Sequence, residues 1–209
     1  MNDAPASMQI IEWQQFLETG LQLKKQALKK QTSVTVGVFD GVHRGHQELI
    51  TRVVSFNTDY VSAVITFRES HKIGTRCQGL GTREEKCDII SFQQRLALFE
   101  KLGIQVVVVI DFTEEFRQMS GIDFLQKLLD NGNVGYFAVG NGFKCGYQLD
   151  TDAEAAKEFF ISHGITAEII PQVMENNLPI SSSRIRTAIY EGNTALAQLM
   201  LGHENLVSW

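Results

Sequence analysis

Short β-branched and aromatic runs recur along this chain, and most are followed by a segment with helical periodicity. No other feature constrains the fold as tightly, because strand–helix alternation with short connections forces right-handed crossovers between parallel strands. The runs are SVTVGV at 33–38, VSAVITF at 61–67, VVVVI at 106–110, YFAVG at 136–140 and AEIIPQV at 167–173. VVVVI is apolar at every position, as expected of a strand whose sheet is covered by helices on both faces. Between the runs stand GHQELITRVVSF, with Leu49, Val53 and Phe56 on one face, and FQQRLALFEKLG, with Gly103 as its C-cap. GIDFLQKLLDNG, ended by Gly132, and TDAEAAKEFFISHG, opened by Thr151 or Asp152, continue the series. SSSRIRTAIYEG and NTALAQLMLG add two helices. The pattern predicts a doubly wound α/β fold, about five parallel strands with helices on both faces. Residues 1–209 read as one domain with an N-terminal helical segment at about 8–30.

Composition excludes several classes of function. The chain is 44% hydrophobic and 21% charged, which is ordinary for a globular protein. A net charge of -5 offers no overall positive excess for nucleic acid. The lysines at 24, 25, 29 and 30 read as the wet face of a helix. Cys77, Cys87 and Cys145 show no CxxC spacing, so neither a zinc site nor a disulfide framework is expected. MNDAPASMQIIEW lacks the basic start and long apolar run of a secretory signal. VVVVI is far too short to span a bilayer. The expectation is a soluble, cytoplasmic protein with no membrane or nucleic-acid partner.

In a doubly wound sheet, ligands bind beyond the carboxyl ends of the strands. After the first run comes GVFDGVHRGH, at 37–46. Its glycines match neither the dinucleotide fingerprint nor a P-loop. Gly37 ends the strand, Gly41 permits a turn, and Gly45 allows close approach to the first helical turn. Free N–H groups and the helix dipole make that turn an anion site. His43 and His46 lie three apart on one face of it, placed to donate hydrogen bonds to phosphate oxygens. Late in the chain, ISSSRIR at 180–186 opens a helix that Ser181 or Ser182 can cap. Ile185, Ala188 and Ile189 form its buried stripe, flanked by Arg184 and Arg186. Hydroxyls, N–H groups and a guanidinium there suit a departing pyrophosphate. The stretch 68–90, longer than typical strand-to-helix connections, is either a lid or an insertion.

Together, GVFDGVHRGH and ISSSRIR resemble the cytidylyl/adenylyltransferase superfamily, with its HxGH and ISSxxxR motifs. The closer resemblance is to the FMN adenylyltransferase module of the prokaryotic-type FAD synthetases. It extends through QQRLALFEKLGIQVVVVIDFTEEF, FLQKLL and AVG, and covers roughly residues 33–203. The resemblance implies a Rossmann-like sheet of the nucleotidylyltransferase type and transfer of AMP from MgATP to FMN, giving FAD and pyrophosphate. It implies that His43 and His46 hold the α- and β-phosphates, and that Ser182, Ser183 and Arg186 hold the leaving β- and γ-phosphates. Gly37, Phe39, Asp40, Gly41, Gly45, Gly140 and Arg184 complete the implied nucleotide site, and Arg68, Asn141 and Phe143 the acceptor side. Magnesium is expected only with ATP, with no resident metal. The bifunctional members of the family continue into a riboflavin kinase barrel of which this sequence has no trace. Either the chain is a stand-alone adenylyltransferase with a separate riboflavin kinase as its pathway partner, or it is part of a longer protein.

Departures from the family pattern concentrate on the acceptor side. One departure lies near the nucleotide, where Val38 stands in place of the family's common Asn or Thr and loses a polar contact; the other two are on the acceptor side. FRESH, at 67–71, replaces a FxPHP-like turn, and VGNGF puts Gly142 at an acidic or amide position. Two alternatives therefore stand beside FMN adenylylation. One is nucleotidyl transfer to a different phosphorylated acceptor; the other is a paralogue that binds nucleotide or flavin without turnover.

Overall fold

A computed structural model describes residues 7–21, 31–69 and 88–204. Six parallel strands form the sheet: β1 (Gln9–Glu12), β2 (Thr32–Val36), β3 (Val61–Phe67), β4 (Val106–Ile110), β5 (Val134–Gly140) and β8 (Thr166–Ile170). Their spatial order is β1-β4-β3-β2-β5-β8. The chain starts its winding at β2, runs outward through β3 and β4, then returns to lay β5 on the other side of β2. The strand order reverses there, so the crevice between the carboxyl ends of β2 and β5 is the position for a ligand.

The period-two alternation of the strands divides the interior into two layers. In β4, Val107 and Val109 face one layer while Val106, Val108 and Ile110 face the other. The first layer packs α2 (Arg44–Ser55), α3 (Phe92–Lys101), α7 (Ser182–Tyr190) and α8 (Thr194–Leu201). The second packs α1 (Trp13–Thr19), α5 (Gly121–Gly132) and α6 (Ala153–Ser162). A short α4 (Glu114–Arg117) follows β4. Two small antiparallel pairs stand off the sheet: β6 (Lys144–Cys145) with β7 (Thr151–Asp152), and β9 (Met174–Glu175) with β10 (Leu178–Pro179).

The N-terminus departs from the expected helical segment at 8–30. Residues 9–12 form a sixth strand, paired with β4 from Gln9↔Val106 to Glu12↔Val109, and among the described residues of that segment the helix runs over Trp13–Thr19. The reason is tertiary. Without β1, β4 would be an edge with unpaired N–H and C=O groups, and QIIE fits there with Ile11 buried. Residues 22–30, with the four lysines, lie outside the described residues, as do 70–87 with most of the long connection, Cys77 and Cys87. Helix ends follow side-chain chemistry. Ser91 and Gln94 form a capping box on α3, Asp152 rather than Thr151 caps α6, and Ser181 caps α7. Gly132 stays helical, and Asn133 takes the left-handed position after it, at φ 45. Among the described residues no helix is long and apolar enough to cross a membrane.

Candidate nucleotide-binding site

A cavity of about 430 Å³ opens at the carboxyl ends of β2, β5 and β8. It straddles the crest of the sheet. On the α2 side stand His43, His46, Ser181 and Ser182; on the α5 side stand Phe67, Phe112, Phe116 and Phe124.

The α2 side is built by the loop leaving β2. Phe39 (φ 55), Gly41 (φ 80) and Val42 (φ 38) all have left-handed backbones, unfavourable for a phenylalanine and more so for a β-branched valine. The chain thereby reverses tightly and brings His43 to the N-cap of α2. There the His46 N–H donates to His43 Nδ1 at 3.3 Å. That bond requires an unprotonated Nδ1, so the proton of a neutral His43 sits on Nε2. The two imidazoles stack with centroids 3.6 Å apart and 15° between planes. Gly45 leaves room for this, because a Cβ at Gly45 would stand 3.3 Å from the His43 ring. Phe39 meets His46 edge-on at 5.2 Å.

Burial makes both rings neutral. Desolvation takes His43 down to about 4, and His46 is driven well below the ordinary histidine range by desolvation, then by His43 and the Arg95 cation. His46 Nδ1 is buried with no hydrogen-bond partner. A neutral imidazole carries one N–H, and the His46 ring lines the cavity beside His43. The stacked pair thus offers neutral N–H donors at the N-terminus of a helix. Such an arrangement favours phosphate without repelling a metal-bound nucleotide.

Asp40 ties this loop to α7. Its carboxylate accepts from the Ile89 N–H at 2.9 Å and pairs with the Arg186 guanidinium, and its carbonyl accepts from Ser182 Oγ at 2.9 Å. Burial raises the Asp40 carboxyl from its ordinary value, and Arg186 pulls it back. Arg186 is therefore engaged with Asp40 instead of lining the cavity. Arg184 turns the other way, donating to the Leu178 carbonyl at 2.9 Å, and Ser183 is exposed. Of the expected nucleotide residues, Gly37, Phe39, His43, Gly45, His46, Gly140 and Ser182 line the cavity; Asp40, Gly41, Ser183, Arg184 and Arg186 do not.

The expected acceptor residues also separate. Asn141 and Phe143 line the cavity beside Gly140 and Gly142. Arg68 does not; its guanidinium bridges Glu12 at 2.6 Å and Asp111 at 2.8 Å and lies over the Phe92 ring. The aromatic wall of Phe67, Phe112 and Phe116 was not singled out as a binding surface by sequence reasoning. DFTEEF after β4 was the available signal, because it places Phe112 and Phe116 just past the carboxyl end of that strand, where ligands bind. Arg95 was missed too. Only 1% exposed, it donates to the Val38 carbonyl at 2.5 Å and the Arg68 carbonyl at 3.0 Å, holding the ends of β2 and β3 in place. Cys145 lines the cavity as a thiol, pushed up to about 12 by burial. Among the described residues no three His, Cys, Asp or Glu side chains converge on a metal position.

A family model for FAD synthetase matches residues 25–184. The bifunctional riboflavin kinase/FMN adenylyltransferase of Bacillus subtilis is 30% identical over 174 residues, covering 81% of this chain and 52% of that protein. The Buchnera aphidicola (Acyrthosiphon pisum) protein of the same description is 27% identical over 171 residues, covering 81% and 53%. The FAD synthetase of Listeria monocytogenes is 27% identical over 171 residues, covering 81% and 68%. The chain spans about half the length of the bifunctional relatives. Among solved structures, one described as a macrolide-efflux protein from Streptococcus pneumoniae superposes with a TM-score of 0.73 at 26% identity, over 95% of this chain and 72% of that one. The stacked histidines of HRGH, the serine-capped α7 and the sheet that joins them all fall within or beside the matched stretch, and the chain belongs to the FAD synthetase family.

Proposed function

We propose that this protein transfers AMP from MgATP to FMN, forming FAD and pyrophosphate. The observation that carries the reading is the neutral, stacked His43–His46 pair on one side of a cavity whose other side is a wall of phenylalanines. The donors suit a nucleotide's phosphates and the aromatic wall a planar ring system. A phosphate oxygen of FMN attacks the α-phosphorus of ATP, a new P–O bond forms, and the bond to the pyrophosphate oxygen breaks. No protein nucleophile is needed, because phosphoryl chemistry of this kind depends on positioning and electrostatics. His43 and His46 donate to the α- and β-phosphate oxygens as charge develops there. The hydroxyl of Ser181, with the N-terminus of α7, receives the leaving phosphates, while Ser182 holds the Asp40 carbonyl. Arg186 contributes through Asp40. Magnesium enters with ATP. The setting is the cytoplasm, with FMN supplied by a riboflavin kinase.

The test is incubation with MgATP and FMN, followed by chromatography for FAD and pyrophosphate. Absence of FAD above a protein-free control, while ATP binding is measurable, would sink the proposal. A second reading keeps the chemistry and changes the phosphorylated acceptor. It is favoured by Arg68, which is held by Glu12 and Asp111, and by Gly142, which brings no side chain to the cavity. Pyrophosphate release from ATP or CTP across a panel of phosphorylated acceptors separates the two.

A further inference from the structure

The loop that aims His43 holds an unfavourable backbone conformation, and donors from four other places secure it. Its successive carbonyls are all engaged. Val38 accepts from Arg95 at 2.5 Å, Phe39 from the Val42 N–H at 3.0 Å and Asp40 from Ser182 Oγ at 2.9 Å. Gly41 accepts from His203 Nε2 at 2.7 Å and Val42 from Gln47 Nε2 at 2.8 Å. Arg95, Ser182 and Gln47 sit on α3, α7 and α2. His203 is different: it lies two residues past the end of α8 and beyond the 25–184 stretch that matches the family.

We infer that His203 is a positioning residue for the phosphate-binding loop, its Nε2–H holding the Gly41 carbonyl and so keeping the Gly41–Val42 turn that presents His43 to the cavity. The inference rests on the nucleotide-transfer reading for its consequence in catalysis, while the geometry exists without any substrate. Three observations support it. First, the turn needs an outside hold, because Val42 at φ 38 is a conformation a β-branched residue leaves when it can. Second, the chain is shaped to bring His203 there. Gly202 (φ 71) closes α8 and turns the backbone toward the loop, and a Cβ on it would stand 2.8 Å from the Arg44 side chain. Third, the end of α8 is tied to the same loop independently, since Gln47 Nε2 donates both to Val42 and, at 2.7 Å, to the Leu201 carbonyl.

A carbonyl only accepts, so Nε2 of His203 must carry the proton. Neutral and cationic imidazole both supply it. Burial lowers the His203 pKa, the Gly41 bond acts against it and Lys101 of α3 acts with it, and His203 in turn lowers His43. Titration therefore does not break the bond, and His203 gives the site no pH switch of its own.

The experiment compares His203→Phe, which keeps a ring and removes the donor, with His203→Gln, whose amide reaches to the Nε2 position. Imidazole nitrogen NMR on the full chain reads His43 and His46 directly, and calorimetry with MgATP and FAD-forming kinetics read the consequence. In H203F the His43 ring signals shift, and MgATP affinity or kcat falls up to about tenfold, as for one hydrogen bond lost. Its pH–rate profile keeps the parent's shape, whereas loss of a general base would remove a limb. H203Q stays within about threefold of the parent. If H203F does not fold, His203→Asn replaces it, because its amide is too short to reach Gly41 and must shift His43 equally. Unmoved His43 signals in the donor-less variant, or an H203Q as impaired as H203F, would overturn the inference. A parent that forms no FAD while His43 still responds to H203F refutes the proposed reaction and leaves the positioning role standing.

Discussion

An imidazole taken out of water loses its cationic form first, and His43 is only 6% exposed. Its pKa of about 4, against 6.5 ordinarily, makes it a contributor to stability with a definite sign. Below pH 6.5 the unfolded chain binds a proton that the folded site refuses, so this contribution is full above 6.5 and is lost as pH falls toward about 4. The loss amounts to roughly 3 kcal/mol across that window. His43→Asn keeps an N-cap for α2 and removes the titration. Urea unfolding at pH 7 and pH 4.5 should therefore show a smaller acid loss in H43N than in the parent, and equal losses would refute the burial argument. Asp40, whose carboxyl is raised, acts in the opposite sense in both proteins and cancels from the comparison. His46→Ala should lower the rate of FAD formation by about a hundredfold or more, as for one preorganised donor, and a near-normal rate would remove its assigned role. At this scale the HxxH spacing was legible in the sequence. The stacking, the protonation state and the buried Arg95 were not, because an arginine within FQQRLALFEKLG reads as an exposed position until a sheet lies over it.

Between elements, the Asp40–Arg186 pair joins the β2–α2 loop to α7, with Asp40 5% exposed and Arg186 19%. Removing one partner leaves a poorly solvated charge, whereas removing both does not. Asp40→Asn should cost about 3 kcal/mol of unfolding free energy, and the double variant with Arg186→Met less than the two single losses combined. Strict additivity in denaturant unfolding would show that the ion pair does not couple these elements. ISSSRIR pointed to this helix and its serine cap, but the family pattern sent Arg186 to the phosphates. Its engagement with Asp40 depends on a residue 146 positions away. The edge strand β1 escaped for a related reason. QIIE is too short to display a period, and β4 decides its state by offering an open edge.

At the scale of the molecule, the cavity exists because the sheet's order reverses between β2 and β5 and both helical layers stop at its carboxyl edge. Each layer brings its own chemistry, donors from the α2 side and phenylalanines from the α5 side. Phe116→Ala should raise the acceptor KM about tenfold while the ATP KM stays within about threefold, since a half-buried ring that the acceptor covers contributes about 1.4 kcal/mol. Equal effects on both substrates in steady-state kinetics would mean that the two sides are not separate subsites. The sequence by itself determined the strand–helix alternation, the doubly wound class, the motifs HRGH and ISSSRIR and their family, because those are written in local periodicity and contiguous motifs. Only the tertiary structure decided the sixth strand, the aromatic wall, the neutral tautomers, the pairing of Arg186 and the reach of His203 to Gly41. Each of those depends on burial or on partners far apart in the chain, and solvent exclusion and long-range contact leave no local pattern to read.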